Sequence, residues 1–585
     1  MNKKHIPYGI IGLLVFIILT MLAYVYIFHI KMMWEIYTGS YKTTTHQGDI
    51  PFKWYSQSIA NHCVMMADMA WCEAYNEYRE SQRKMGMSHK SMMNAKIQDD
   101  ISFMNIDLDT LPDATKIEVV ELKDGDTYTM EVTQVAKDIW NDAVVMLAYN
   151  GSIPGPILTA PEWSKVTLKF VNKVEWLETT LHSHGLRWDY TMDWVPKDMM
   201  GTQDPVEFWE SFSYSLEFPD TGVFWYHPHI REDLQQELGL YGNFIITPND
   251  DHYWWEVNSE QTLILDDILI ENGKIAPISS EFANYILMGR FGNTMLINGE
   301  TDYTITAKAW EIQRLNLTNV SNTRVYNFEI PWVKMKRVWG DIWKYEQEEF
   351  VDSIVIAPAE RYIIEIYLEK SGTYEIQNNS PISNYTLWKI IVSDQVVKTS
   401  YLREFNTLRT NTDTISDIDS FRPYFDKTPD KEISLDIDMK WMMMNMMQLE
   451  SHDGIEWEDE MVQMNKMHTS NMVDWNIIEK STGKRNMNID WEFKQWDIVK
   501  IRIRNEDTWG HPMQHPIHFH GQRFLVVDIN GVSNDNLVWK DTVLVKKWEY
   551  VDIIMDMSNP GEWMTHCHIA EHLTAGMIMH FTVTQ

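Results

Sequence analysis

The sequence predicts an all-β protein of three similar sandwich or barrel domains, preceded by a transmembrane helix and a short helical segment. Three observations support this prediction. Apolar and polar residues alternate as in strands over most of residues 116–585, a Trp-to-Asn motif occurs three times, and an uncharged run lies near the N-terminus. With 585 residues the chain is long enough for about three or four domains of ~100–200 residues each.

The first element is the uncharged run of residues 7–28. As a helix it would span about 33 Å, enough to cross a hydrocarbon layer of about 30 Å. Lys3 and Lys4 precede it, and no small-residue cleavage site follows before Lys31. We therefore expect residues 1–33 to be an uncleaved, single-pass anchor in the cell membrane, with the remaining domains outside the cytoplasm. A cleaved signal peptide, and hence a secreted or periplasmic protein, is the alternative.

A helical extension is predicted next, over residues 34–114. Between residues 56 and 100, Met, Ala, Glu and Lys are frequent and Gly86 is the only glycine or proline, which indicates one or two helices. Cys63 and Cys72 would lie on opposite faces of a continuous helix, too far apart for a disulfide. A disulfide between them would therefore require a break in the helix.

The three copies of the motif are WSKVTLKFVN from Trp163, WEIQRLNLTN from Trp310 and WDIVKIRIRN from Trp496. Their alternating apolar residues predict strands with one buried face. Each copy falls in one predicted domain. The predicted ranges are 115–250 for the first domain, 251–398 for the second, and 399–585 for a polar linker followed by the third.

The charge is strongly acidic, with 84 acidic against 50 basic side chains and a formal net charge of -34. This balance argues against a nucleic-acid partner and favours cationic or neutral partners. Solubility alone would explain the same charge equally well.

Histidine is concentrated in four short stretches, LHSHG, WYHPH, HPIHFHG and HCHIAEH. On a strand, residues two apart face the same side, so His566 and His568 would point one way and Cys567 the other. Two His, one Cys and a weak axial Met form a blue electron-transfer copper site, and Cys567, His572, Met577 and a distant histidine such as His515 could supply it. The other eight histidines form four His-x-His pairs that could hold further coppers. Structural zinc is disfavoured, because such sites use four ligands and no methionine.

These motifs resemble those of the multicopper oxidases, the laccase and copper-resistance metallo-oxidase type with three cupredoxin domains, over residues 115–585. The resemblance implies four coppers per chain: one type 1, one type 2 and a binuclear type 3 pair. Carried over by motif, the type 1 ligands would be His515, Cys567, His572 and Met577, the type 2 ligands His182 and His518, and the type 3 ligands His184, His227, His229, His520, His566 and His568.

The resemblance also implies the reaction, in which four one-electron oxidations at type 1 copper feed electrons through Cys567 to the reduction of O2 to water. Asp193 matches the acid that the family places near type 2 copper and is the candidate proton donor. Leu573 stands where some members carry a second acid, and Glu571 is a candidate substitute. The axial Met577 implies a lower type 1 potential than an apolar residue would give.

A methionine-rich insert over residues 439–472 suggests the reductant, because thioethers bind Cu(I) well. Its densest part is Met442, Met443, Met444, Met446 and Met447. We expect Cu(I) to be the substrate, with the neighbouring acids Asp436, Asp438, Glu456, Glu458, Asp459 and Glu460 attracting cations, which would also serve Fe(II). Flexible core filler is the other common use of Met. A laccase-like phenol oxidase, and a copper-sequestering protein without turnover, are the alternative functions.

Eight tryptophans stand where the family usually has turn glycines: Trp163, Trp194, Trp209, Trp310, Trp332, Trp339, Trp343 and Trp496. Turns with positive φ accept glycine freely and oppose a large side chain. We hypothesise that the gene uses UGA for glycine, shown here as tryptophan. The alternative is true aromatic substitution with compensating shifts.

Overall fold

The computed structural model describes residues 106–140, 142–187, 189–193, 203–279, 282–439, 453–506 and 513–585. Strands dominate these residues, and their helices are short, which confirms the predicted all-β class. The alternation seen in the sequence becomes alternating burial, as in β5 (Lys165–Asn172), where every second side chain is buried.

The first part of the described chain contains nine strands that form two sheets. One sheet has the order β1-β4-β9-β8-β6 and the other the order β3-β2-β5-β7. The strands are β1 (Val119–Glu121), β2 (Thr127–Ile139), β3 (Asp142–Tyr149), β4 (Ile157–Pro161), β5 (Lys165–Asn172), β6 (His182–Ser183), β7 (Ser211–Glu217), β8 (Gly222–His227) and β9 (Gly242–Thr247).

The second part contains a six-stranded sheet, β13-β10-β15-β20-β17-β18, a five-stranded sheet, β14-β22-β21-β16-β19, and the ribbon β11-β12. The strands are β10 (Ser259–Ile268), β11 (Ile270–Glu271), β12 (Lys274–Ile275), β13 (Thr294–Ile297), β14 (Thr304–Ala309), β15 (Glu311–Asn319), β16 (Tyr326–Glu329), β17 (Lys334–Gly340), β18 (Trp343–Val351), β19 (Ser353–Ile356), β20 (Arg361–Leu368), β21 (Gly372–Asn379) and β22 (Asn384–Val396).

The third part contains a sheet of order β24-β23-β26-β32-β28-β29, in which β30 also pairs with β28, and a sheet of order β25-β34-β33-β27-β31. The strands are β23 (Lys431–Met439), β24 (Val473–Glu479), β25 (Asp490–Lys494), β26 (Ile498–Asn505), β27 (His515–Phe519), β28 (Arg523–Ile529), β29 (Val532–Ser533), β30 (Trp539–Lys540), β31 (Thr542–Val545), β32 (Tyr550–Asp556), β33 (Gly561–Cys567) and β34 (Ile578–Thr584).

The repeated motif occupies the same place in each part, as β5, β15 and β26. Each of these strands pairs in parallel with an earlier strand and antiparallel with a later one. The Asn that ends each copy is buried and donates hydrogen bonds to two carbonyl oxygens, Asn172 to Leu177 and Val206, for example. Asn319 and Asn505 make the equivalent pairs of bonds. The sequence repeat is therefore a structural repeat.

The predicted polar linker contains helices that pack on the sheets. Of the five α-helices in the described part of the chain, α1 (Glu232–Gln235), α2 (Leu402–Asn406), α3 (Thr412–Asp419), α4 (Val462–Met467) and α5 (Ala570–Thr574), two lie in this segment. Single turns of 3-10 helix occur at Leu108–Thr110, Tyr190–Met192, Arg422–Tyr424 and Asn486–Asn488. Phe405 of α2 contacts the rings of Phe350 and Tyr367, and Ile418 of α3 packs in a cluster with Trp539. These apolar anchors dock the segment.

Seven tryptophans have positive φ, five of them predicted: Trp163 (65°), Trp209 (61°), Trp310 (66°), Trp332 (69°) and Trp496 (72°). Trp140 (57°) and Trp548 (61°) share this conformation but were not predicted. The prediction was wrong for Trp339 and Trp343, which lie on β17 and β18 without positive φ, since those positions continue strands rather than turn the chain. Trp194 lies outside the described residues.

Several predictions concern residues that the structure does not describe. They are the membrane anchor over residues 1–33, the helices between residues 56 and 100 with Cys63 and Cys72, and the group Met442, Met443, Met444, Met446 and Met447. Within the described ranges, no helix has the length and apolar character needed to span a bilayer.

Candidate copper centres

Strand pairing gathers the histidine motifs. In the first part of the chain, β6 pairs with β8 so that His182 lies opposite His227. In the third part, β27 pairs with β33 so that His518 lies opposite His566. The eight histidines of the four His-x-His pairs are each 3% exposed or less. They form one buried cluster contributed by residues more than 380 positions apart, as in the contact of His184 with His568.

Six of these rings form two triads whose Nε2 atoms converge. In the first triad, Nε2 of His184 lies 3.0 Å from Nε2 of His227 and 3.1 Å from Nε2 of His568. The second triad consists of His229, His520 and His566. There, Nε2 of His566 lies 3.0 Å from that of His520 and 3.4 Å from that of His229.

The remaining two rings, His182 and His518, lie between the triads. His182 stacks on His520 of the second triad with ring centroids 4.1 Å apart, and His518 stacks on His184 of the first at 3.9 Å. The Nε2 atoms of His182 and His518 are buried and have no hydrogen-bond partner in the described part of the chain. Buried nitrogens without a partner are costly unless a ligand satisfies them.

The backs of several rings are held by carbonyl oxygens. Nδ1 of His227 lies 2.7 Å from the carbonyl oxygen of Pro228, and Nδ1 of His566 lies 3.0 Å from that of Cys567. A carbonyl can only accept, so each Nδ1 carries the proton and donates it. The lone pair of these rings is consequently on Nε2, the atom that faces the cluster.

Burial and mutual repulsion keep most of these rings neutral. Burial, followed by the charges of neighbouring histidines, lowers the pKa of His184, His227, His518 and His566 well below the usual value. Burial and His182 lower the pKa of His520 to about 3 against the opposing effect of Asp193. Neutral imidazoles with converging lone pairs are metal ligands rather than proton carriers.

A second cluster lies on the other face of β33. Sγ of Cys567 lies 3.5 Å from Nδ1 of His515 and 3.9 Å from Nδ1 of His572, and the two Nδ1 atoms are 3.3 Å apart. Trp475 stacks on His572 with ring centroids 4.1 Å apart. Burial raises the pKa of the Cys567 thiol, so a bound cation would be needed to stabilise the thiolate.

Met577 is also buried in this part of the core. Its backbone is tied to the same residues, since its N–H donates to the carbonyl oxygen of His572 at 3.0 Å and its carbonyl oxygen accepts from the N–H of Cys567 at 3.1 Å. Met577 and Cys567 belong to the same buried core cluster, and the backbone of Met577 follows α5 closely.

Asp193 contacts two of the cluster histidines. Its Oδ2 lies 2.7 Å from Nδ1 of His520, and its Oδ1 lies 3.3 Å from Nδ1 of His182. Burial opposes ionisation, but His520 and His182 outweigh it and hold the pKa of the Asp193 carboxyl below its usual value.

Glu571, the other candidate acid, contacts different residues. Its carboxyl oxygens accept hydrogen bonds from Asn322 and Thr323. Burial, and then Asp233, raise the pKa of Glu571 to about 8.

Sequence reasoning missed two acids at the cluster. Oε1 of Glu232 lies 2.8 Å from Nδ1 of His229, and an acid three residues after a His-x-His pair is a local signal that could have revealed it. The carbonyl oxygen of Asp541 lies 2.9 Å from Nδ1 of His518, while its carboxylate binds Arg361. No local signal points to Asp541, because its partners Arg361 and His518 are both distant from it in the sequence.

The spacing of the donor atoms fits metal ions. Two nitrogens that are each ~2.0–2.1 Å from one metal at a tetrahedral angle are about 3.3 Å apart. The distances of 3.0 to 3.4 Å within the triads match this value. The donor set of His515, Cys567 and His572 is that of a blue copper centre.

Comparison with known proteins agrees with this chemistry. Sequence profiles described as "Multicopper oxidase" match residues 129–251 and 457–585. Multicopper oxidase mco of Staphylococcus aureus is 25% identical over 449 residues, covering 75% of this chain and 84% of the relative. Iron transport multicopper oxidase FET3 of Candida albicans is 25% identical over 468 residues, covering 74% and 72%. Laccase-1 of Fomitopsis schrenkii is 24% identical over 479 residues, covering 73% and 80%.

Solved structures share the fold. The multicopper oxidase from Campylobacter jejuni, described as a metallo-oxidase, has a TM-score of 0.59 and 22% identity, covering 83% of this chain and all of that one. McoA from Aquifex aeolicus has a TM-score of 0.61 and 20% identity, covering 81% of this chain and all of that one. Three findings agree: the fold, the buried histidine and cysteine clusters, and the matched profiles. The chain therefore belongs to the multicopper oxidase family, whose members are copper-dependent oxidoreductases with O2 as electron acceptor.

Proposed function

We propose that this enzyme couples four one-electron oxidations of a small reductant, with Cu(I) as the leading substrate, to the reduction of O2 to water. One observation carries the proposal. Cys567 lies between His566 and His568, which belong to different triads, while its sulfur faces His515 and His572 on the opposite side of the strand. A single stretch of backbone therefore links an electron-accepting site to both halves of an oxygen-reducing site.

The ligand assignment proposed for this reaction follows the clusters. Type 1 copper would be held by His515, Cys567, His572 and Met577, type 2 copper by His182 and His518, and the type 3 pair by the two triads. Bound copper would supply the one-electron redox chemistry and the site of O2 reduction. The assignment is supported by the buried, unpartnered Nε2 atoms of His182 and His518 and by the converging Nε2 atoms of each triad.

Three features of the chain would support this chemistry: the backbone of residues 566–568, Asp193 and Trp475. The backbone of residues 566–568 offers a covalent route of a few bonds from the sulfur to either triad. Asp193 is proposed as the proton donor, because it is buried and touches both His182 and His520, beside the type 2 position and the second triad. Because its carboxyl is held ionised, it would take up each proton before passing it on. Trp475, stacked on His572, shields the type 1 position from water.

Cu(I) is supported as the substrate by the described part of the methionine-rich insert. Met461, Met464 and Met472 are partly buried and pack against the core that contains Cys567 and Met577. Soft thioethers near an electron-accepting site would suit Cu(I). Met442, Met443, Met444, Met446 and Met447 lie outside the described residues. We propose them as a further substrate site.

The acids near the insert favour Fe(II) less than expected. Glu456 binds Lys547, and Glu458 binds Arg324 at 2.8 Å. Asp438 binds Arg485, and Asp459 accepts a hydrogen bond from Asn465. Because these carboxylates already have partners, they provide less free negative charge for a hard cation than their number suggests.

The experiment is O2 uptake by copper-loaded protein with a Cu(I) acetonitrile complex, Fe(II) or a phenol as reductant. Deleting residues 439–472 is unsuitable, because Ile455 and Trp457 are buried and part of the fold. Met461, Met464 and Met472 should instead be changed to Leu together, with Met295→Leu as the control, a partly buried Met in the second part of the chain. A second variant changes Met442, Met443, Met444, Met446 and Met447 to Leu.

We expect both multiple variants to lose Cu(I) turnover while retaining phenol turnover. Unchanged Cu(I) turnover in both would remove Cu(I) as the assigned substrate, and preferential phenol oxidation would favour the laccase-like alternative, which one relative's name suggests. Copper binding without O2 uptake by any reductant would point to sequestration. Oxygen uptake that survives Cys567→Ser would refute the proposed electron route.

The domain organisation and location are proposals as well. Three cupredoxin domains over residues 115–250, 251–398 and 399–585 are supported by the sheets, each of which lies within one of these ranges. The uncharged run of residues 7–28 supports a membrane anchor with extracytoplasmic domains. Membrane fractionation of the full chain and of a chain without residues 1–33, with protease added to intact cells, tests the location. Retention of the shortened chain in the membrane would contradict the anchor.

A further inference from the structure

The two histidine triads differ in what lies behind their rings. In the first triad, Nδ1 of His227 faces the Pro228 carbonyl, and Nδ1 of His184 and of His568 has no hydrogen-bond partner among the described residues. The second triad has carboxylates behind two of its three rings. Nδ1 of His520 forms a hydrogen bond of 2.7 Å with Oδ2 of Asp193. Nδ1 of His229 lies 2.8 Å from Oε1 of Glu232, an ion-pair contact without the angle of a hydrogen bond.

We propose that Glu232 is a positioning residue that orients His229 and strengthens the hold of the second triad on its copper. This inference rests on the proposed ligand assignment. A carboxylate behind an imidazole fixes the ring and its tautomer and raises the basicity of the opposite nitrogen. Here that nitrogen is Nε2 of His229, which faces Nε2 of His566 at 3.4 Å.

The surroundings of Glu232 favour this role. The side chain of Glu232 is 3% exposed and that of His229 is fully buried, so water competes little for their contact. The N–H of His229 also donates to Oγ1 of Thr180 at 2.6 Å, which fixes the backbone next to the ring. With Asp193 and Glu232, two carboxylates lie against the rings of the second triad, and their charge would offset that of a bound cation in a low-dielectric interior.

The test compares Glu232→Gln and Glu232→Leu with the parent. Glu237→Gln is the matched control, because Glu237 is a buried acid of the same segment that binds Arg290 at 2.8 Å instead of a histidine. Copper-loaded proteins are dialysed against a chelator, and copper per chain, EPR-detectable copper and the thiolate-to-copper absorption are followed with time. The thiolate absorption reports on the Cys567 cluster and serves as an internal control for folding.

We expect Glu232→Leu to lose about one copper per chain ~10- to 100-fold faster than the parent while the thiolate absorption persists. Partial loss should uncouple the binuclear pair, so EPR-detectable copper should increase. Glu232→Gln, which keeps the shape but not the charge, should lose copper at an intermediate rate, and Glu237→Gln at the parent rate.

Parent-like copper retention in both Glu232 variants would overturn the proposal, and so would equal loss in Glu237→Gln. If Glu232→Leu does not fold, the isosteric Glu232→Gln decides. A parent protein with neither the thiolate absorption nor bound copper would instead refute the ligand assignment itself.

A different observation carries a second inference. Of the 17 non-glycine residues with positive φ in the described chain, seven are Trp and most of the others are Asn or Asp. Asn and Asp tolerate this conformation because their short side chains bond locally, whereas a bulky residue there is an outlier. The seven Trp side chains are all at least 51% exposed, and that of Trp332 is 99% exposed. Little packing energy is therefore gained in return for the strain.

Three of these residues occupy one turn that is repeated in the three parts of the chain. The N–H of Trp163, Trp310 and Trp496 donates to the carbonyl oxygens of Phe218, Leu368 and Met557, respectively, at 2.7 to 2.9 Å. The backbone of the turn is thus held by the sheet, and the indole contributes nothing to it. Buried tryptophans behave differently. Nε1 of Trp475 and of Trp491 donates to Ile286 and Glu479, each at 2.8 Å.

We infer that the protein made by its own organism carries glycine at these seven positions, because their codons are read there as glycine and not as tryptophan. Glycine adopts positive φ without strain. Peptide mass spectrometry of the natively produced protein should find glycine at residues 163, 310 and 496 and tryptophan at 475, 491 and 563. Tryptophan at all six, or ordinary UGG codons throughout, would overturn the inference.

Discussion

Arg361 and Asp541 join the second and third parts of the chain through two hydrogen bonds of 2.6 Å, from Nη1 to Oδ1 and from Nη2 to Oδ2. Both side chains are almost completely buried. The carbonyl oxygen of the same Asp541 accepts the hydrogen bond from Nδ1 of His518. An ion pair between two sheets thereby supports the backbone that orients a proposed type 2 ligand.

Removing Arg361 should destabilise the protein strongly. In Arg361→Met the carboxylate of Asp541 is left buried without its partner, which costs ~3–5 kcal/mol of unfolding free energy. Arg337→Met is the control, because its partner Glu349 is partly exposed and such pairs contribute only ~0–1 kcal/mol. Urea unfolding of both variants measures the difference. Equal small losses would show that the Arg361 pair is not structurally important.

Cys567→Ser should abolish the intense thiolate-to-copper absorption and reduce turnover to background. The serine oxygen is a poor soft-metal ligand, whereas the eight histidines of the other cluster are unchanged. Copper per chain should fall by about one, measured by metal analysis alongside the absorption spectrum. His580→Gln, a change outside both clusters, should retain absorption and turnover. Turnover by the serine variant would place electron entry elsewhere.

Asp193→Asn should slow O2 reduction without slowing electron entry. The amide keeps the size of the side chain but cannot supply protons, and loss of acid catalysis typically costs ~10²–10⁴-fold in rate. Stopped-flow absorption separates the steps, since anaerobic bleaching by Cu(I) reports electron entry and recovery on adding O2 reports reduction. Asp189→Asn, at the N-cap of the neighbouring 3-10 turn Tyr190–Met192, is the control. Equal slowing of both steps would indicate general disruption of the cluster.

Trp332→Gly should stabilise the protein. The side chain is 99% exposed and φ is 69°, so the change relieves ~1–2 kcal/mol of left-handed strain and removes almost no packing. Trp475→Gly should have the opposite effect, a loss of more than about 3 kcal/mol, because that indole is buried. Urea unfolding compares them. Destabilisation by Trp332→Gly would mean that contacts of the exposed indole stabilise the protein by more than the positive φ of Trp332 costs.

Asp266 should make stability depend on pH. Burial raises the pKa of its carboxyl well above the usual value, and its Oδ2 accepts a short hydrogen bond from Tyr241. The folded state then binds a proton more tightly than the unfolded state, whose pKa is about 3.9. The contribution of Asp266 to the unfolding free energy is therefore fully present below the unfolded pKa. It is lost as pH rises through the folded pKa. Asp266→Asn should flatten the decline of the unfolding free energy that the parent shows as pH rises above about 4. An unchanged slope in Asp266→Asn would contradict this origin.

Much of the fold was predictable, because strands and motifs are local. Alternating burial in β5 follows from a period of two, and so does the placement of His566 and His568 on one face with Cys567 on the other. The repeat from Trp163, Trp310 and Trp496 predicted three equivalent strands. The ten motif histidines and Cys567 lie in the two clusters where their spacing suggested they would meet.

Other features depend on contacts that leave no local pattern. Trp339 and Trp343 continue strands where a turn was expected, and α2 and α3 fold a segment that looked like a linker.

The sequence by itself determined the fold class, the repeated strand and the identity of the candidate ligands, since each depends on neighbours a few residues apart. Only the tertiary structure decided how the histidines divide into triads, and which groups stand behind their rings. Asp193 meets His520, and Arg361 meets Asp541, across more than 150 residues of chain. Such pairings depend on how sheets pack in space, and the spacing of residues along a strand carries no information about them.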